Sequence, residues 1–172
     1  MQPISYQPTT SKWRLRNANK TLRLFITAFL LLLTSGYVIG LFFVDHTTVG
    51  TLKGLTEEYR GTPESASSAE LKYAKTVDEM YIFLHNHILS LSLVFFAVGA
   101  VFYFSSIVPE SMKTFLMVEP IVAIGTTFGG IWLMRFVSEL FSWLVIISGI
   151  TMVGCYVVMV ILILWELWMR RA

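Results

Sequence analysis

Hydrophobic residues fall into four long runs separated by polar segments, a pattern that predicts four membrane-spanning helices. The runs cover about residues 22–44, 81–108, 115–134 and 140–167 of the 172-residue chain. At 1.5 Å per residue, each is long enough to cross a hydrocarbon core about 30 Å thick. We therefore predict an all-α integral membrane four-helix bundle, with residues 22–172 forming one membrane domain.

The polar segments predict the orientation of the bundle. Residues 1–21 contain basic side chains and no acid, and Arg170 and Arg171 lie near the C-terminus. The largest loop, residues 45–80, contains seven acidic and four basic residues. Because basic residues near span ends favour the cytoplasmic side, we expect both termini inside and the loop outside. Residues 1–21 would then form a cytoplasmic or interfacial segment, and the first run is too long for the core of a cleaved signal peptide.

Composition narrows the class of protein further. Hydrophobic residues make up 55% of the chain and charged residues 14%, compared with about 25% charged in ordinary soluble domains. The bilayer is therefore an expected partner, most simply a bacterial inner membrane, and a net charge of +2 gives no sign of nucleic-acid binding. The single cysteine, Cys155, excludes an intrachain disulfide. No catalytic motif is visible, so enzyme activity is not expected.

Pairs of glycines recur at a spacing of four residues in two of the runs. They are Gly36 with Gly40 in the first run, and Gly125 with Gly129 in the third. Small residues at this spacing let two helix backbones approach closely in a membrane. We expect them to pack the helices of the bundle, and the alternative is a flat face presented to a partner subunit.

The three histidines cluster at one membrane level and are the main candidates for a cofactor site. His46 follows the first run, and His85 and His87 begin the second, so all three should lie near the outer surface. Imidazoles on facing helices suit a b-type haem, and two or three of them suit copper or zinc. Residues two apart are separated by about 200° around a helix, which disfavours a single ion bound by His85 and His87. The simpler alternative is that the histidines only reach interfacial water.

A stripe of small and polar residues predicts which histidine faces the interior. His85, Ser92, Gly99 and Ser106 recur every seven residues, and such a stripe should face protein rather than lipid. We therefore expect His85 to be the inward haem or metal ligand. His46 would be a second ligand from the first helix, and His87 would point toward a neighbouring helix, the loop or another subunit.

Two further ionisable groups lie at or within the third run. Arg135 and Glu139 are four residues apart and predict an interfacial ion pair, and Arg135 is also the cation best placed for a haem propionate. Glu119, directly before Pro120, is an acid inside an apolar run. It could handle protons, although a carboxylate that snorkels or stabilises a helix kink is the simpler interpretation.

Short motifs resemble those of a group of small bacterial four-helix membrane proteins. These motifs are Thr48–Gly50, Tyr59-Arg60-Gly61 in the loop, and His85-Asn86-His87 at the start of the second run. The group has a similar length, a YRG-like tripeptide and an HxH motif, and it is associated with cytochrome-containing electron transport. The resemblance covers about residues 22–135 and implies a redox-linked membrane subunit with His85 and His87 as ligands.

The sequence thus leaves three functional hypotheses. The first is a subunit of a bacterial respiratory or photosynthetic electron-transport complex, with a b-type haem near the outer face and a cytochrome among its partners. The second is a structural or accessory subunit without a cofactor, packed against a larger membrane protein. The third is a membrane protein with a copper or zinc site at His46, His85 and His87.

Overall fold

The computed structural model describes residues 13–63 and 71–170, and this part of the chain is helical without strands. The residues of the basic segment before Trp13 lie outside the described part, as do 64–70 and 171–172. Five α-helices follow one another: α1 (Lys20–Thr48), α2 (Leu52–Arg60), α3 (Val77–Phe102), α4 (Glu110–Phe136) and α5 (Ser142–Trp168). Two 3-10 turns, Leu15–Asn17 and Glu139–Phe141, precede α1 and α5.

Four of these helices are long and apolar enough to cross a membrane, which confirms the predicted fold class. They are α1, α3, α4, and α5 together with the 3-10 turn before it. Four crossings place the start of α1 and the end of α5 at the same end of the bundle, here called the terminal end. The opposite end, where α2 lies, is called the cap end. Which of the two faces the cytoplasm stays a prediction.

Polar residues define where the helices begin. The Asn19 side chain accepts a hydrogen bond from the Leu22 amide at the start of α1. At the start of α3, Thr76 and Glu79 each bond to the other's backbone amide, forming a capping box. Pro109 precedes α4, where its fixed φ suits the entry to a helix. These caps satisfy amide groups that have no partner inside the helix.

The core of the bundle is built from α3, α4 and α5, and α1 lies at its side. Helices α4 and α5 pack along their lengths, α3 contacts both, and α1 contacts mainly α2 and α5. Three residues of α1 are buried, Ile26, Leu30 and Thr48. The Tyr37 ring of α1 stacks on Tyr156 of α5, with ring centroids 4.3 Å apart. Helix α1 is therefore held by a few specific contacts rather than by a broad apolar interface.

The prediction that the glycine pairs pack the bundle is wrong. A Cβ atom built at Gly36, Gly40, Gly125 or Gly129 would meet nothing within 4 Å. The close helix approach occurs instead at Gly130, where a Cβ atom would lie 3.0 Å from a methyl group of Val145. The small residues of both pairs thus lie on open faces of α1 and α4.

The second span ends earlier than its hydrophobic run suggests. Helix α3 stops at Phe102, although the apolar run continues to Val108. Residues 103–109 instead form a compact link at the terminal end, where Phe104 accepts a hydrogen bond of 3.0 Å from the Leu15 amide. The hydrophobicity of residues 103–108 indicates that they lie close to the membrane, but it does not show that the helix ends before them.

Candidate functional site

The described part of the predicted outer loop, residues 45–63 and 71–80, is a folded cap that contains a helix. Thr51 accepts a hydrogen bond from the Gly54 amide at the start of α2, and Leu55 and Tyr59 of this helix are buried. Tyr59 packs on Phe83 of α3, with ring centroids 5.4 Å apart. The cap thus covers one end of the bundle through the apolar face of α2. This helix was not predicted from the sequence. Its signals are Thr51, a residue type that caps helices, and the apolar Leu55 and Tyr59, which are four residues apart and so share one helix face.

Two glycines are required by the geometry of the cap. At Gly54 a Cβ atom would lie 1.8 Å from the carbonyl oxygen of Thr48, so α2 crosses the end of α1 at a distance that no side chain allows. At Gly61 the backbone has a φ of 84°, and a Cβ atom would lie 2.8 Å from the Ala74 nitrogen. Gly61 is the glycine of the YRG tripeptide, so this backbone geometry explains why the tripeptide ends in glycine.

Charged residues tie the cap to itself and to the bundle. The Glu58 carboxylate pairs with Lys72 at 3.0 Å and with Lys75 at 3.1 Å. Arg60 donates a hydrogen bond of 2.8 Å to the carbonyl oxygen of Met134, in the last turn of α4. A cation suits this place, because the carbonyls at a helix C-terminus lack partners inside the helix.

The predicted ion pair between Arg135 and Glu139 is wrong. Helix α4 ends at Phe136, so the spacing of four residues no longer places the two side chains on one helix face. Arg135 instead donates a hydrogen bond of 2.8 Å to the carbonyl oxygen of Lys75, and its guanidinium lies 4.9 Å from the centre of the Phe136 ring. The side chain therefore links the cap to α4.

The three histidines are all exposed, but they differ in their contacts. His46 lies in the last turn of α1, and His85 and His87 lie in α3. The prediction that His85 faces the interior is therefore wrong, although Gly99 of the same stripe is buried. His87 lies toward α4: its ring centroid is 4.2 Å from that of Phe83 and 5.5 Å from that of Phe128. Its Nδ1–H donates a hydrogen bond of 2.9 Å to the carbonyl oxygen of Phe83.

The described residues do not form a metal site of three or more ligands. Nowhere in residues 13–63 and 71–170 do three His, Cys, Asp or Glu side chains come together as a metal site requires. His87 has a feature of a ligand, because an imidazole held by a backbone carbonyl through Nδ1 presents Nε2 outward in a fixed orientation. His85 is two residues away and points elsewhere. Of the two histidines of α3, His87 is therefore the one whose ring is held by a hydrogen bond.

A buried carboxylate at the terminal end was not anticipated from the sequence. Glu166 of α5 is 0% exposed. It accepts hydrogen bonds of 2.6 Å from the hydroxyls of Ser105 and Ser106, and of 3.0 Å from the Ser106 amide. The link after α3 is thereby tied to the last turns of α5. The available signals were an acid near the end of the fourth apolar run and the serine pair Ser105 and Ser106 shortly before Pro109.

A second acid lies in a groove between α4 and α5 that is open to the surroundings of the bundle. The groove has a volume of about 620 Å³, and its walls include Val118, Val122 and Ile147. Glu119 lines it, with the Cys155 thiol beside its carboxylate. Its Oε2 atom is buried and, within the described part of the chain, receives no hydrogen bond. Among the described residues of the spanning helices, the Tyr37 hydroxyl of α1 is the other buried side-chain oxygen without a hydrogen bond.

Taken together, the four spans and the folded cap define a small multi-pass membrane protein. The chain belongs to the Aq_1264_TM family, described as a transmembrane helical domain, whose model matches residues 50–172. The matched range contains α2 to α5 and leaves out α1. Comparisons with curated proteins and with solved structures found no match.

Proposed function

We propose that this protein is a non-catalytic subunit of a larger membrane complex, in which it packs against a partner through the open faces of α1 and α4. The observation that supports this proposal is the position of the two glycine pairs, which face open space instead of the bundle. Apolar helices gain no hydrophobic energy from leaving lipid for one another. Small residues therefore favour association by allowing close backbone contact.

The shallow packing of α1 supports the same proposal. Large apolar side chains of this helix are exposed along most of its length, among them Phe25, Leu32, Ile39 and Phe42. Lipid can cover such an apolar surface. At Gly36 and Gly40, however, the helix surface is flat, and a second helix can approach its backbone closely there. Association with a partner would fix α1 more firmly than its own chain does.

Electrophoresis of the native complex from its own membranes tests this proposal. Gly129→Leu should lower the fraction of the chain found in a complex, because the new side chain holds the partner away. Ala100→Leu, which adds similar bulk at an exposed position of α3, should leave that fraction unchanged. A wild-type chain that migrates as a monomer under mild extraction would rule out the proposal.

The more specific hypothesis is that the complex transfers electrons in the inner membrane of a bacterium, with a b-type haem held through His87. The fixed orientation of the His87 ring supports this second candidate. Haem would supply one-electron chemistry, and this chain would contribute one imidazole and the apolar surface of Phe83 and Phe128. The resemblance of the HxH motif to proteins associated with cytochromes points the same way.

A reduced-minus-oxidised visible spectrum of the native complex tests the haem hypothesis. His87→Ala should remove or shift one α-band, and His85→Ala should leave it in place, because His85 lacks a fixed orientation. If the complex has no haem absorbance, or if both variants keep the wild-type spectrum, the chain does not ligate a haem. The proposal of a non-catalytic subunit does not depend on this result.

A further inference from the structure

The groove between α4 and α5 offers hydrogen-bond acceptors and few donors at membrane depth. The hydroxyl of Thr126 donates to the Ala123 carbonyl at 3.1 Å, and that of Thr151 donates to the Ser148 carbonyl at 3.0 Å. Each hydroxyl has one hydrogen. Once that hydrogen is used within its own helix, only the lone pairs of the oxygen remain for an occupant of the groove.

Glu119 is the strongest acceptor of this groove. It lies nine residues after Glu110, so it is about 14 Å along α4 from the start of that helix. The next residue is Pro120, which has no amide hydrogen, so the carbonyl of Leu116 also lacks its donor within the helix. A buried carboxyl oxygen without a hydrogen bond, such as Oε2 of Glu119, is costly at this depth, because lipid chains cannot form hydrogen bonds.

The groove is long enough to hold several turns of a helix. It extends along α4 from Ser111 to Thr126, a distance of about 22 Å at 1.5 Å per residue. The exposed face of α4 continues beyond it through Gly125 and Gly129, where a Cβ atom would meet nothing within 4 Å. A third helix could rest between α4 and α5 and continue over this flat surface.

We propose that the α4–α5 groove is the docking site for a transmembrane helix of a partner protein that bears a lysine or arginine level with Glu119. Such a side chain supplies the missing donors and compensates the charge of the carboxylate. A purely apolar helix would leave Glu119 without a partner. This inference rests on the proposed role as a subunit and specifies which face of the chain the partner contacts.

Photo-cross-linking in the native membrane tests the docking site with Glu119 intact. A photoreactive residue at Val122, in the groove, should form an adduct with a partner whose spanning helix contains a basic residue. The same residue at Leu93, exposed on α3, should not. An adduct with a second copy of this chain, with a helix lacking a basic residue, or with lipid alone would overturn the proposal.

Substitution of Glu119 gives an independent measurement. Glu119→Ala should lower the fraction of the chain in the complex by about tenfold, within the range reported for interhelical polar contacts. Glu119→Gln keeps a hydrogen-bond acceptor and should retain part of the complex that Glu119→Ala loses. Glu110→Gln, which changes an exposed acid of the same helix, is the control. If the complex forms normally in all three variants and Val122 gives no adduct, this inference is wrong and the subunit role stands. If the wild-type chain forms no complex, the subunit role itself fails.

Discussion

At the scale of single residues, Glu166 has the most complete set of hydrogen bonds in the bundle. A carboxylate is expensive to bury unless donors replace the water it loses. Here two serine hydroxyls and one backbone amide do so. Glu166 also joins two parts of the chain that are 60 residues apart. The group therefore acts as a structural junction rather than as a reactive site.

We expect Glu166→Ala to destabilise the bundle by about 3 kcal/mol, because it leaves two hydroxyls and an amide without their acceptor in a buried position. Unfolding by increasing SDS in mixed micelles measures this change. Glu110→Ala removes an acid whose contact with Lys113 is exposed, and it should have little effect. Equal stability of the two variants would show that the junction contributes nothing.

The residue scale is also where the sequence was least informative about the candidate site. The three histidines lie near the cap end as expected, but the repeat of seven did not identify the one that contacts α4. A repeat of seven identifies the inward face only where the helix is packed against others along its whole length. Near the cap end, α3 is exposed around His85, so the inference fails there. The contact of His87 with Phe128 depends on where α4 lies. No spacing within one run contains that information.

At the scale of elements, α2 distinguishes this fold from four spans joined by plain loops. Its nine residues are too short for a stable isolated helix. Its stability comes from packing Leu55 and Tyr59 on the bundle and from the bond between Arg60 and α4. Hydrophobic runs predict long spans well, because lipid imposes their length. A short amphipathic helix in a polar segment gives a much weaker pattern.

The close crossing of α1 and α2 makes Gly54 sensitive to substitution. Gly54→Ala should destabilise the cap by about 2 kcal/mol or more, since its methyl group collides with the backbone of Thr48 rather than with a flexible side chain. Gly36→Ala, at an open position of α1, should be close to neutral. Limited proteolysis of the cap compares the two variants. Equal resistance of both variants to cleavage would contradict the close approach.

Tyr59 should make the cap sensitive to alkaline pH. Burial, with a smaller effect from Glu58, raises the pKa of its phenol in the folded cap. A raised folded pKa means that the stabilisation is complete below the unfolded value of about 10 and is lost as the pH rises above it. Proteolysis of the cap should therefore accelerate above about pH 10. Tyr59→Phe should reduce this acceleration, and an unchanged pH profile would argue against the buried phenol as its cause.

At the scale of the whole molecule, the aromatic residues agree with a transmembrane arrangement. Trp132 and Trp143 lie at the ends of α4 and α5 that meet the cap, and Trp165 and Trp168 lie at the terminal end. Indole rings favour the two interfaces of a bilayer. The number and approximate bounds of the spans followed from hydrophobicity alone, because each crossing must satisfy its own backbone. The contacts between helices did not follow, since lipid and protein present similar apolar surfaces.

Orientation is tested by labelling whole cells with an impermeant thiol reagent. A cysteine at Tyr73, which is 87% exposed in the cap, should react, and one at Met169, which is 76% exposed at the terminal end, should react only after permeabilisation. The native Cys155 is buried and should stay silent, as the unsubstituted chain will show. Labelling of the Met169 position alone would reverse the predicted orientation.

The side position of α1 has a consequence for biosynthesis. Thr34 bonds to Tyr156 at 3.0 Å and Thr27 to Trp168 at 3.1 Å, so its polar contacts join residues 122 and 141 positions apart. A ribosome delivers α1 to the bilayer first and those partners last. Cross-linking of nascent chains of increasing length should detect the contact between α1 and α5 only after Trp168 has been released. Until then the first helix is held only at its cap end, where it meets α2, and the rest of its length is available to insertion factors and to quality-control proteases.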